Sequence, residues 1–114
     1  MILKQLEDVP FADMSGYENV KKQVILGPDD GSDEIVMRHF QVAPGGSTPY
    51  HAHDWPHLVK IEEGRGVTVD ANGNETPVKA GDFIYLTDNE THQFRNTGET
   101  AFEFLCIVPR RGAS

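Results

Sequence analysis

Residues 45–64 read GGSTPYHAHDWPHLVKIEEG and set His51, His53 and His57 between the framing glycines Gly45 and Gly64. In an extended strand alternate residues share a face, so His51 and His53 project from one side about 6 to 7 Å apart and can converge on one ion. His57 keeps the same parity but follows Asp54-Trp55-Pro56, where Pro56 interrupts pairing and lets the chain bend back before Leu58 resumes a strand. A further histidine, His92, arrives in GDFIYLTDNETHQFRN, residues 81–96, so that four of the five histidines fall into two local clusters. An isolated His-x-His pair is more often solvated than metal-bound. The addition of His57 and the glycine frame reverses that reading and makes His51, His53, His57 and His92 the candidate metal ligands.

Outward from this stretch, Gly and Pro punctuate the chain at Gly27-Pro28, Pro44-Gly45-Gly46, Gly64, Gly66, Asn72-Gly73, Gly81, Gly98 and Pro109. The intervals are short and rich in β-branched and aromatic residues, and no apolar repeat at helical spacing persists over three turns. The pattern predicts an all-β sandwich or barrel with strands over 20–26, 35–42, 48–53, 57–63, 67–71, 75–78, 83–86, 92–96 and 101–108. Residues 71–74 (ANGN) suit a tight hairpin. Residues 1–3 are a candidate for a short extra strand, and 29–34 (DDGSDE) for an exposed, mobile loop.

A chain of 114 residues is expected to form one domain across 1–114. Eighteen acidic against ten basic side chains give a formal charge of −8, with no basic cluster beyond Lys21-Lys22 and Arg110-Arg111, which argues against nucleic acid or an anionic membrane as partner. Neither a signal-type leader nor an apolar run of roughly 20 residues is present, so a cytoplasmic location is the expectation. The lone Cys106 has no internal disulfide partner. Two glycosylation-type triplets, Asn74-Glu75-Thr76 and Asn89-Glu90-Thr91, are read as chance.

Strand parity assigns further residues. Over 35–42 the apolar face is Val36, Phe40 and Val42, which turns His39 outward, toward solvent or a subunit contact, and turns Arg38 inward. A buried guanidinium needs either a structural carboxylate or an anionic ligand, so Arg38 is a candidate for a substrate carboxylate or enolate. On the last strand Phe102, Phe104, Cys106 and Val108 share a face, so Phe104 and Cys106 either wall a pocket beside the metal or simply pack the core. Trp55, between two candidate ligands, belongs at the pocket rim, where it covers a barrel or dimer edge or caps a bound ring.

These residues resemble the cupin superfamily. Its first motif, G-x5-H-x-H-x3-4-E-x6-G, is met by Gly45, His51, His53 and Gly64, with His57 in the glutamate place. Its second, G-x5-P-x-G-x2-H-x3-N, is met by Gly81, His92 and Asn96, with Thr87 for proline and Asn89 for glycine. Within the superfamily, the HxHxWxH cluster and the FLCIVP ending are similar to small manganese-binding cupins with four histidine ligands. The resemblance implies a jelly-roll β-barrel with a motif-bearing core about 35–109, commonly a homodimer, and metal held by His51, His53, His57 and His92. It leaves residues 1–19 as a candidate for a strand exchanged between dimer partners.

Histidine in place of the carboxylate leaves a divalent ion its full charge among neutral ligands and favours an anionic further ligand. Imidazole suits zinc, copper, iron and nickel, while manganese comes from the resemblance alone. Octahedral Mn or Fe with open positions points to a dioxygenase-like enzyme, an oxidoreductase acting on a small chelating organic molecule. The alternatives are a non-catalytic metal-assisted binding or sensing module, a sugar isomerase or epimerase, and a purely structural metal, for which tetrahedral zinc would suffice.

Overall fold

Alternation of apolar and polar side chains becomes nine antiparallel strands in the computed structural model, which describes residues 1–113. They are β1 (Ala12–Asp13), β2 (Glu18–Leu26), β3 (Ile35–Ser47), β4 (His57–Glu63), β5 (Arg65–Val69), β6 (Glu75–Lys79), β7 (Phe83–Leu86), β8 (Gln93–Arg95) and β9 (Phe102–Pro109). Three short 3-10 turns complete the ordered elements, and no α-helix occurs among the described residues. No helix among them is long and apolar enough to cross a membrane.

The long strand β3 organises the fold. It pairs with β2 along one edge and with β9 along the other, and β9 continues to β4 and β7. Its far end leaves that ladder and meets β8 through Ser47 and Arg95, and β8 in turn pairs with β5 and β5 with β6. One chain thus supplies both layers of a small jelly-roll-like domain. The crossover runs through Pro44-Gly45-Gly46, where a side chain at Gly46 would come within 2.6 Å of the Glu18 carbonyl. Only a glycine admits that approach.

The core lies between the layers. On β9 the side chains of Phe102, Phe104, Cys106 and Val108 are buried, and on β3 those of Val36, Arg38, Phe40 and Val42. Phe104 stacks on Phe40 at 5.2 Å between ring centroids and meets Phe94 of the opposite layer at 4.7 Å. These aromatic contacts join the two sheets.

Four sequence expectations change. Residues 48–53 are not a strand, since Pro49 has no N–H to give; they keep Thr48 N to Phe94 O at 2.9 Å and a single bridge between His51 and His92. Residues 1–3 form no strand, and the short β1 at 12–13 pairs with β2 instead. The β5–β6 connection is wider than a tight hairpin, because the Asp70 carboxylate accepts from the backbone N–H of both Asn72 and Asn74. The acidic segment 29–34 begins within a 3-10 turn, Pro28–Asp30, held where Asp30 accepts from Gly27 N and pairs with Lys4.

His39 points away from the inner face, as parity requires, yet it is only 3 % exposed. The N-terminal segment covers it: Gln23 donates its amide to the carbonyls of Leu6 and Val9, which turns its oxygen toward His39 Nδ1 at 2.7 Å. His39 Nε2 lies 3.0 Å from the Glu103 carboxylate. The ring is thus held between two groups that can accept its hydrogen bonds.

Asn96 is structural. Its amide donates to Val42 O at 2.9 Å and Thr100 O at 2.8 Å, while its oxygen accepts from Gly98 N at 2.9 Å. Asn96→Ala strands buried carbonyls and is expected to lower the unfolding free energy by about 2 to 3 kcal/mol, measured by urea denaturation.

Candidate metal centre

The reciprocal backbone bonds of His51 and His92, His51 N to His92 O at 3.1 Å and His92 N to His51 O at 2.8 Å, set residues from the two histidine clusters side by side. The rings follow, with His51 and His92 at 4.9 Å between centroids and His51 and His53 at 4.2 Å. One nitrogen from each of His51, His53 and His92 lies within 4.8 Å of the others, so these three could hold a metal ion.

His57 joins the cluster by ring position, with centroids 5.3 Å from His53 and 5.1 Å from His92, but stands outside that nitrogen set. Its Nε2 accepts from the Trp55 indole N–H at 3.1 Å. Trp55 also stacks on His53 at 4.5 Å and packs against Gly112, where a Cβ would collide with the indole. The tryptophan at the rim therefore braces two histidines.

His92 is oriented in a second way. Its Nδ1 lies 2.8 Å from the Glu90 carbonyl, which can only accept, so the proton sits on Nδ1 and Nε2 keeps its lone pair. The turn that presents this carbonyl is closed by Thr87 N donating to the Glu90 carboxylate at 2.9 Å. Asn89, in the motif's glycine place, holds φ at 62°, a left-handed conformation that asparagine tolerates.

The centre opens on a cavity of about 140 Å³. Its apolar wall includes Phe40, Val59, Leu86, Phe94 and Phe104, its polar lining adds Arg38, Thr48 and Cys106, and none of its residues carries a carboxylate. Phe104 and Cys106 thus line the cavity as well as packing the core. Tyr17 and Met14 also line it, though they lie outside both motifs in a segment without periodicity. Only the fold brings them there.

Desolvation governs the electrostatics. Burial is the largest cause lowering all four imidazoles below their ordinary value, His51 to about 4 and His57 to about 3. Repulsion from His53 and then His92 adds to the effect at His51; His92 and Arg38 add to it at His57. Burial also raises the Cys106 thiol, partly offset by Arg38, which donates to its sulfur at 3.4 Å. Neutral imidazoles with a lone pair free are the donors a divalent transition ion takes, so the residues fit such an ion.

Comparison with known proteins shows the family and supports the fold. The cupin domain model matches residues 38–108, and the chain belongs to the cupin family. It is 38 % identical over 74 residues to an oxalate-binding protein of Thermotoga maritima, covering 64 % of this chain and 60 % of that one. It is 27 % identical over 118 residues to auxin-binding protein 1 of Arabidopsis thaliana, covering 96 % of this chain and 59 % of that one. The chain therefore spans about 60 % of the length of these curated relatives. Among solved structures, the polyketide cyclase RemF of Streptomyces resistomycificus superposes with a TM-score of 0.91 at 28 % identity, over 96 % of this chain and 79 % of that one.

Because burial lowers all four imidazoles, protons compete with a metal for these nitrogens only below the free value of about 6.5. In the metal-free protein the same shifts act on stability. The unfolded chain takes up protons first as pH falls from about 6.5, so stability is full above that pH and is lost as pH falls through the folded values. Metal content after equilibrium dialysis should persist below pH 6 in the wild type. His53→Ala or His92→Ala should lose most metal even at neutral pH, whereas His39→Ala should retain it.

Proposed function

We propose that the protein is a metal-dependent, oxygenase-like enzyme acting on a small organic molecule that chelates through adjacent oxygens. Its ligand set is His51, His53, His57 and His92, with Mn or Fe as the ion. The observation that carries this reading is the meeting of three neutral imidazoles at the wall of a largely apolar cavity without carboxylates. Such an ion supplies Lewis acidity and redox access beside the bound molecule. The chain's own residues do the rest. Glu90 O holds the His92 tautomer, Trp55 braces His53 and His57, and Phe94 and Phe104 restrict water. Engaging Nε2 of His57 requires the Trp55 N–H to leave it.

A second reading, a non-catalytic binding protein, is favoured by the names of two relatives, one oxalate-binding and one auxin-binding. Protein loaded with iron(II) or manganese(II) is expected to consume oxygen with a diketone, catechol or flavonol. Calorimetric binding at full metal occupancy, without oxygen uptake, would select the binding reading.

A homodimer is the assembly we assign. Leu58 of β4 pairs with Tyr85 of the edge strand β7 and Lys60 with Phe83, leaving Leu58, Phe83 and Tyr85 exposed side by side. An apolar patch on a sheet edge calls for a second copy to cover it. Phe83→Glu should convert the dimer to monomer in light scattering, with circular dichroism unchanged.

A further inference from the structure

Arg38 is 7 % exposed and lines the cavity together with the histidines. Its guanidinium offers five N–H donors. Nη2 reaches only the Cys106 sulfur at 3.4 Å, and Nε has no partner. The guanidinium carbon stands 5.1 Å from the centre of the Phe40 ring, which shields its face without accepting its hydrogen bonds. None of the ion pairs among the described residues includes Arg38, so the structural carboxylate allowed by the sequence is not there. In a chain of net charge −8, this cavity holds a buried cation and no anionic side chain. A buried charge left this way is expensive unless something anionic completes it.

We propose that the cavity takes a small organic dianion, one carboxylate held by the forked N–H groups of Arg38 and the remaining oxygens directed to the histidine cluster. This rests on reading that cluster as a metal centre and names the substrate class of the same site. The dimensions agree, since about 140 Å³ has room for a short dicarboxylate or oxo-dicarboxylate. The Tyr17 phenol lines the same space and offers an O–H donor to the anion. A planar fork matches a carboxylate in two parallel bonds, which a lysine at the position could not reproduce.

The test is calorimetry on manganese-loaded protein with malonate, succinate and 2-oxoglutarate, and with succinamate, in which an amide replaces one carboxylate. The wild type should bind at least one dianion, and succinate about 10- to 100-fold more tightly than succinamate, the range expected for a charge-assisted pair. Arg38→Met should retain its metal by mass spectrometry and lose that preference. Should the variant not fold, the succinate-to-succinamate ratio in the wild type decides alone. Equal affinity for acid and amide, an undiminished preference in folded Arg38→Met, or no dianion bound would overturn the proposal. Binding is read without turnover, so Arg38-dependent binding without oxygen uptake would defeat the oxygenase reading and leave this one standing. Oxygen uptake without an Arg38-dependent preference would do the reverse.

Discussion

The structure turns on one reciprocal pair of backbone hydrogen bonds, His51 with His92. Each donates its N–H to the other's carbonyl, and the two residues lie on segments that belong to different halves of the sequence. The pair is possible because β3 leaves its first ladder at Pro44-Gly45-Gly46 and carries the chain across to β8. On the far side Thr48 exchanges bonds with Phe94, and Asn96 N reaches Gly46 O at 3.0 Å, so the bridge is flanked by further contacts. Imidazoles mounted on such a frame need little reorganisation to share an ion.

That placement also fixes the electrostatics. Bringing four imidazoles under Phe94, Phe104 and Leu86 removes water, and the loss of water, more than mutual repulsion, keeps them uncharged. The neutral form a metal requires is thus prepared by the same packing that builds the cavity wall. The consequence for the metal-free chain is a fold that tolerates acid poorly, because every shifted histidine gives the unfolded state an advantage in binding protons.

Legibility followed periodicity. On β3 and β9, where Val36, Phe40 and Val42 and then Phe102, Phe104, Cys106 and Val108 recur at every second or fourth position, the sequence alone indicated which side chains face inward, Arg38, Phe104 and Cys106 among them. The pattern misled at 48–53, where alternation looked like a strand but Pro49 cannot donate, and the shared parity of His51 and His53 is realised in a bridged loop. At His39 parity gave the correct face and the wrong exposure, because an outward residue is solvated only if nothing lies over it, and the segment held by Gln23 does. Tyr17 was invisible for the opposite reason. Its position in the cavity comes from the path of the chain before β2, which no local pattern encodes.

The departure at His57 and the isolation of Arg38 share one electrostatic setting. Arg38 lies close enough to His57 to help hold its imidazole unprotonated, so a carboxylate at position 57 would feel the same charge with opposite sign and be drawn toward it. Such a carboxylate would partly neutralise the guanidinium and lower the net positive charge a ligand meets. An imidazole cannot do this; its Nε2 instead accepts from Trp55, and the guanidinium keeps its full charge inside the cavity. Replacing one acid by histidine therefore changes two things together, leaving a bound ion more positive and leaving Arg38 unquenched. Both changes favour an anion, and both act on the same small space between β3, β4 and β9.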